Sequence, residues 1–242
     1  MKQVIIILCL LLISCRQESD VVSNENLSQK TTTENHQNNQ ESDSQRHIQV
    51  FFPDSKPTEE EKNAITDIVK AAITLIASNK EELRKFYDEK ETKIALTKDV
   101  KKVAEAFHVG IPSVNGIKGI DSFCFDRQSV DGKIEYFIIV DRSVFSSYMK
   151  LVVTLNHETI HMKNFVNETG KEDFLDEEIA TFTENINDLQ DLYDKLTRES
   201  NAPQMAEELK ELKELISKEQ DSLKAYQNAK ILNKSTKSEK NL

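Results

Sequence analysis

Two histidines lie four residues apart within a long apolar stretch, and this combination limits what residues 148–165 can fold into. Glycine and proline are absent from the stretch, and apolar residues surround the histidines: Leu151, Val152, Val153, Leu155, Met162 and Phe165. Such a segment is typical of a buried α-helix. Residues four apart share one helical face, so His157 and His161 point to the same side. Because burying an imidazole without a partner costs free energy, the sequence predicts a ligand or a polar network beside them.

The residue that follows the first histidine gives this segment its chemistry. His157-Glu158-Thr159-Ile160-His161 is an H-E-x-x-H motif. Two imidazoles on one helical face can bind one zinc ion, at Zn–N distances of about 2.0–2.1 Å. Glu158 lies beside that face and is expected to accept a proton from zinc-bound water, whose pKa the metal lowers towards about 7. The motif therefore predicts Zn²⁺ as cofactor, His157 and His161 as metal ligands and Glu158 as general base.

A second segment, Phe174–Phe182, resembles the downstream signature of gluzincins, zinc metallopeptidases that add a glutamate ligand to H-E-x-x-H. The match implies that Glu177 is the third ligand and that Ala180 allows close helix packing. Glu178 stands where the family usually has glycine. By helical phase Glu178 lies nearer the apolar stripe of its own helix, so it remains the alternative ligand. The resemblance also implies a peptide or protein substrate.

The remaining parts of a peptidase site are less well defined by the sequence. Asn164 and Asn167 occupy the positions of the metzincin glycine and histidine, which excludes that class. Gluzincins usually stabilise the oxyanion with a tyrosine, histidine or arginine. The downstream candidates are Tyr193, Arg198 and Tyr226, and both tyrosines belong to apolar stripes expected in the core. By the same resemblance, the segment Ile134–Val140 is expected to be the edge strand that pairs with an extended peptide.

The N-terminus predicts export and lipid attachment. Lys2 precedes the apolar run Val4–Ile13, which is too short to span a bilayer and is typical of a secretory signal. Leu12-Ile13-Ser14-Cys15 resembles a bacterial lipobox, which implies cleavage before Cys15 and lipidation of that residue. We therefore expect a protein of the cell envelope whose contact with a membrane is through its lipid alone. The outer membrane, the cell surface and the periplasmic face all remain open.

The cysteine content and net charge bear on disulfide bonds and on the kind of partner the protein can bind. Cys124 would be the one thiol left in the mature chain, so no intramolecular disulfide can support the fold. We expect Cys124 to be a small core residue rather than a nucleophile. A net charge of −10 argues against nucleic acid as a partner, since phosphate binding needs concentrated lysine and arginine. The oligomeric state is left open.

The order of the patterns predicts a mostly helical α+β fold. The resemblance to gluzincins implies a zincin-like domain, which we expect to have a small antiparallel sheet, an active-site helix and a C-terminal helical hairpin. Strands are expected at Ser122–Arg127 and Ile134–Val140, joined by a turn at Asp131-Gly132. The hairpin is predicted by two apolar stripes at helical spacing, from Ile179 to Leu196 and from Met205 to Tyr226, the second interrupted by Glu219.

Composition, together with the lipobox and gluzincin resemblances, divides the chain into five regions. These are a lipoprotein signal at 1–14, a lipidated disordered tether at 15–48, a zincin-like metallopeptidase domain at 49–200, a C-terminal helix at 201–232 that packs as a hairpin on the domain, and a flexible tail at 233–242. The hairpin also supports a second hypothesis, a non-catalytic surface lipoprotein that binds a protein partner through these helices. A metallopeptidase requires bound zinc and a catalytic Glu158, whereas the partner-binding protein requires neither.

Overall fold

The structure, a computed structural model, describes residues 47–111, 120–171, 173–199 and 205–239, with side chains up to residue 233. The signal at 1–14, the lipidated Cys15 and the tether up to residue 46 lie outside the described residues, so their assignment stays a prediction. The described residues all belong to the unit Asp43–Leu242. None of the helices found in these ranges is long and apolar enough to cross a membrane.

The described ranges contain four strands, six α-helices and one 3₁₀ turn. In chain order they are β1 (Ile48–Phe51), α1 (Glu59–Asn79), α2 (Glu81–Glu89), β2 (Thr92–Thr97), α3 (Val100–Ala106), β3 (Ser122–Gln128), β4 (Ile134–Asp141), the 3₁₀ turn (Arg142–Ser146), α4 (Tyr148–Val166), α5 (Phe174–Glu199) and α6 (Ala206–Glu239). The prediction of a mostly helical α+β fold is confirmed. Helix α6 continues to Glu239, past the end expected at residue 232.

The four strands form one mixed sheet in the order β1-β2-β4-β3. The predicted hairpin is present: β3 pairs antiparallel with β4, and Gly132 in the turn has a φ of 85°, which glycine adopts without strain. Strands β1 and β2 pair parallel, as do β2 and β4. The expectation of an antiparallel sheet is therefore wrong for two of the three strand pairs.

The reason for this error is that β1 and β2 carry weak sequence signals. Strand β1 has only four residues, and β2 contains the short apolar run Ile94–Leu96 between Lys93 and Thr97. With β2 on its outer side, β4 is an interior strand, so Ile134–Val140 is not the sheet edge. The edge next to α4 is β3.

Helix α4, which carries the H-E-x-x-H motif, is the most deeply buried helix of the fold. Its apolar residues Leu151, Val152, Leu155, Ile160 and Met162 have no exposed surface. The hydroxyl of Ser147 caps its N-terminus by accepting from the backbone N–H of Lys150, at 3.1 Å. The helix packs against α1, β3, α5 and α6. Because it is held on all these sides, the direction of its side chains is fixed by packing.

One polar contact inside this packing joins α2 to the motif itself. The hydroxyl of Tyr87 lies 2.5 Å from the hydroxyl of Thr159, and both residues are fully buried. The Thr159 hydroxyl donates to the carbonyl of Leu155, so Tyr87 is the donor in the first contact. Tyr87 therefore packs and hydrogen-bonds directly behind the segment between the two histidines.

We predict that Tyr87→Phe lowers the free energy of unfolding by about 0.5–1.5 kcal/mol, the usual net contribution of one hydrogen bond. Tyr87→Ala should cost about 3–5 kcal/mol, because it also leaves a cavity behind α4. Urea unfolding of each variant measures both values. The half-buried Tyr193 offers a matched control: Tyr193→Phe should change stability by less than about 0.5 kcal/mol. A neutral Tyr87→Phe variant would contradict the role given to this contact.

Candidate metal centre

The structure brings together three residues whose side-chain atoms could hold one metal ion: His157, His161 and Glu178. Their candidate ligand atoms all lie within 4.8 Å of one another. The Nε2 atom of His157 is 3.6 Å from Oε2 of Glu178, and the Nε2 atom of His161 is 3.4 Å from Oε1 of the same carboxylate. The two imidazoles thus face one carboxylate of α5 from one face of α4.

Glu177, the predicted third ligand, lies on the opposite side of the His161 ring. Its Oε1 atom is 3.3 Å from Nδ1 of His161 and accepts from the side-chain amide of Asn164 at 3.0 Å. Its Oε2 atom accepts from the backbone N–H of Lys171 at 2.7 Å. Glu177 therefore contacts the nitrogen of His161 that faces away from the cluster, and Glu178 occupies the position expected for Glu177.

The rotation of α5 explains which glutamate reaches the cluster. Glu178 and Phe182 are four residues apart, and the Phe182 ring lies 4.5 Å from the ring of His157. Glu177 and Thr181 form the neighbouring row, and the Thr181 hydroxyl lies 3.2 Å from Nδ1 of His161. Glu177, Thr181 and Phe182 are buried and the Glu178 side chain is 13% exposed, so α5 presents two faces to its neighbours.

The hydrogen bonds of the cluster set its charges. Burial lowers the pKa of His161, but hydrogen bonds to Glu177 and Glu178 outweigh burial and raise that pKa to about 10. Burial raises the pKa of both glutamates, yet their hydrogen bonds to the histidines hold each pKa at about 2. In Glu177 the backbone N–H of Lys171 adds to this effect. The two carboxylates are therefore charged, and together they favour a positive charge on the His161 ring that lies between them.

Glu158, the predicted general base, is buried beside the cluster without belonging to it. It is 4% exposed, and its Oε1 atom accepts from the hydroxyl of Ser122 at 2.6 Å. Ser122 begins the edge strand β3, so the sheet holds the carboxylate in place. Burial and the nearby charge of Glu158 raise the pKa of the Cys124 thiol well above its usual value. A neutral thiol agrees with the prediction that Cys124 is not a nucleophile.

A pocket of about 670 Å³ opens at this cluster. Its lining includes both histidines, Glu158, Glu178, the edge strand and a wall of apolar side chains: Val109, Ile111, Ile120, Phe123, Phe165, Phe174, Phe182, Leu215 and Tyr226. Of the three oxyanion candidates, Tyr226 alone lies among these lining residues, and burial raises the pKa of its hydroxyl. Tyr226 is thus a pocket residue, although the sequence placed it in the core.

Ser122 and the contribution of α6 to this pocket were not predicted from the sequence. No sequence signal marks Ser122 as more than the first residue of a strand. Glu219 on α6 did leave a signal, because it interrupts an apolar stripe. Its carboxylate lies in the pocket wall with Lys218 and Ser222, so the interruption corresponds to a polar face directed at the site.

The residues present fit a zinc ion. Two imidazole nitrogens and a carboxylate oxygen are zinc ligands. Tetrahedral ligands at about 2.0–2.1 Å from a zinc ion stand about 3.3–3.4 Å apart. The Nε2 atom of His161 is 3.4 Å from Oε1 of Glu178, close to that value, and one ligand atom from each of the three residues lies within 4.8 Å of the other two. The Nδ1 atom of His161 also has a carboxylate partner, the usual arrangement behind a metal-binding histidine.

We predict that the two neighbouring glutamates differ in their effect on zinc affinity. Glu177→Gln should weaken zinc binding by about 10–100-fold, as is typical when the group behind a ligand is changed. Glu178→Gln should weaken it by more, because a ligand atom is lost. Competition with a chromophoric chelator measures both affinities, and the two variants are each other's control. The opposite order would make Glu177 the ligand.

The chain matches no protein-family model, no curated protein and no solved structure. A functional assignment therefore depends on the geometry of the site itself.

Proposed function

We propose that this protein is a zinc-dependent metallopeptidase of the gluzincin type. The observation that carries the proposal is the convergence of His157, His161 and Glu178 beside a pocket, with the carboxylate of Glu158 next to them. These residues supply the ligands and the general base that hydrolysis requires. Glu178 takes the ligand role in this proposal, and Glu177 orients His161 from behind.

A catalytic role is favoured over a structural one by the number of ligands. Structural zinc sites are closed by four protein ligands, whereas catalytic sites have three and leave a position for water or substrate. The cluster among the described residues comprises two histidines and one glutamate. It also faces a pocket large enough for substrate side chains rather than the interior of the core.

The chain's own residues divide the work of catalysis. When bound here, zinc lowers the pKa of water and polarises a carbonyl oxygen. Glu158 accepts the proton from the attacking water and passes it to the leaving amine. The hydroxyl of Ser122 holds one oxygen of this carboxylate, so the orientation of Glu158 is set before substrate binds. Tyr226, the one oxyanion candidate from the sequence that lines the pocket, would donate its phenol O–H to the oxyanion.

The geometry of the sheet supports a peptide as substrate. Strand β3 lies at the edge of the sheet, contacts α4 and contributes Ser122, Phe123 and Cys124 to the pocket. An extended peptide can pair with the free side of such a strand through main-chain hydrogen bonds. This pairing would lay a peptide bond across the cluster, with its apolar side chains against the aromatic wall.

The proposed cellular location of the protein is based on its N-terminal sequence. We propose that Cys15 carries a lipid and holds the catalytic domain at a membrane of the cell envelope. Substrates would then be peptides or proteins outside the cytoplasm. The acidic chain argues against nucleic acid as a partner.

We predict that the purified protein binds about one zinc ion per chain and that Glu158→Gln keeps the zinc but loses peptide hydrolysis. Removing a general base lowers the rate by about 10²–10⁴-fold. Metal analysis gives the zinc content, and mass spectrometry of a digested peptide library gives the activity. Glu105→Gln, an exposed change on α3, is the control and should behave like the parent.

The outcomes of this experiment separate the competing hypotheses. Zinc without hydrolysis of any library peptide would indicate a metal-binding protein that is not a peptidase. A fully active Glu158→Gln variant would remove Glu158 from the mechanism. No zinc, even after reconstitution, would refute the proposed function and favour the partner-binding role of the helical hairpin.

We predict a smaller loss for the residue that holds the general base. Ser122→Ala should lower kcat/KM by about tenfold, which corresponds to about 1.4 kcal/mol, with the zinc content unchanged. Ser122→Thr retains a hydroxyl and should recover part of the activity. Steady-state kinetics on the best library peptide measure both variants. Equal activity of Ser122→Ala and the parent would show that the hydrogen bond does not matter to catalysis.

A further inference from the structure

The C-terminal helix α6 places one acidic side chain against the metal centre. Glu219 is flanked by the buried residues Leu212, Leu215 and Ile216 of the same helix, and its own side chain is 18% exposed. A carboxylate in such a position is costly unless it has partners. An apolar residue at position 219 would pack α6 on α5 equally well. We therefore infer that Glu219 has a polar function.

A chain of hydrogen bonds holds the Glu219 carboxylate in place. The side-chain amide of Asn156 donates to Oδ1 of Asn185 at 2.8 Å, and the amide of Asn185 donates to Oε2 of Glu219 at 2.8 Å. Asn156 and Asn185 are buried. Asn156 immediately precedes His157, so this chain connects the start of the motif on α4, through α5, to α6.

The held carboxylate faces a nitrogen that has no other partner. Oε2 of Glu219 lies 3.9 Å from Nδ1 of His157. That nitrogen is buried, and it has no hydrogen bond within the part of the chain that the structure describes. The other nitrogen of the same ring, Nε2, faces Glu178 in the metal cluster. An approach of about 1 Å by the flexible glutamate side chain would make a normal hydrogen bond.

We propose that Glu219 is the positioning residue of His157: it accepts a hydrogen bond from Nδ1–H when Nε2 binds the metal. This inference rests on the proposed function, since it requires that the cluster binds a metal. A metal-binding imidazole normally donates its other N–H to a carboxylate or carbonyl, which fixes its tautomer and orientation. His161 already has such a partner in Glu177, at 3.3 Å. Glu219 gives His157 the equivalent partner from a different helix.

The proposal makes α6 part of the metal centre. Helix α6 is held on α5 by the ion pair between Lys230 and Asp176 and by the contact of Tyr226 with Phe182, at 5.2 Å between ring centroids. Through Glu219 the same helix would fix the orientation of a metal ligand on α4. The helical hairpin then contributes to zinc affinity and does more than cover one side of the domain.

The test compares Glu219→Ala and Glu219→Gln with the parent protein and with the control Glu214→Gln, an exposed change on the same helix. Chelator competition measures zinc affinity. Proton–nitrogen NMR of histidine-labelled, zinc-loaded protein measures the Nδ1–H resonances, and thermal unfolding without zinc reports on the fold.

We expect Glu219→Ala to bind zinc about 10–100-fold more weakly and to lose the exchange-protected Nδ1–H resonance of His157. The Nδ1–H resonance of His161 should remain. Glu219→Gln should show a smaller loss of affinity and an upfield shift of the His157 resonance, because an amide oxygen is a weaker acceptor than a carboxylate. Glu214→Gln should match the parent in every measurement.

The results that overturn the proposal differ from those that overturn the proposed function. If the parent binds zinc and both Glu219 variants keep its affinity and the His157 resonance, Glu219 is not a positioning residue, although the metal site stands. If the parent binds no zinc, the proposed function fails and this inference fails with it. If Glu219→Ala does not fold, the nearly isosteric Glu219→Gln decides through the His157 resonance.

Discussion

The arrangement of the whole site depends on the pairing of two largely buried imidazoles on α4 with the carboxylates of α5. A helix as deeply buried as α4 cannot carry two histidines without partners, since each unpaired polar group in the interior costs free energy. Glu178 faces both Nε2 atoms, and Glu177 meets Nδ1 of His161. Glu177 and Glu178 are adjacent on α5 and contact opposite nitrogens of the His161 ring. They can do so because α5 packs against its neighbours on two faces.

The pairing of α4 with α5 also determines where the other elements around the site must lie. Helix α5 must lie against α4 over the motif, and the buried lysine Lys163 supports that contact through its ion pair with Glu184. With α5 in that place, α6 packs along it and reaches the site at Glu219 and Tyr226. On the other side of α4, strand β3 closes the pocket and holds Glu158 through Ser122. The fold thus supplies each wall of the pocket from a different element around one fixed helix.

The sequence predicts the parts of this structure that follow from local pattern. The motif helix and the paired C-terminal helices can be predicted because each shows helical periodicity over many residues. The hairpin Ser122–Asp141 can be predicted because its Asp-Gly turn is distinctive. Strands β1 and β2 are not, since a short apolar run gives no period. The sequence also cannot decide which of Glu177 and Glu178 faces the histidines. Adjacent helical residues differ by about 100° in direction, and packing against α4 alone decides which of them faces the histidines.

The charged groups of the site also affect the stability of the folded domain. Within residues 47–242 the only cysteine is Cys124, so the domain has no disulfide to limit its unfolded state. Its site nevertheless places the charged carboxylates of Glu177 and Glu178 beside two imidazoles, and Glu158 and Glu219 line the same pocket. Burial and the charges of Glu158 and Glu178 raise the pKa of Glu219, so these carboxylates repel one another, and a proton on His161 offsets only part of that repulsion. A divalent cation that binds the folded state offsets more of it and stabilises that state in proportion to its binding free energy. In such a domain, a metal ion bound at this cluster would stabilise the fold as well as serve the site.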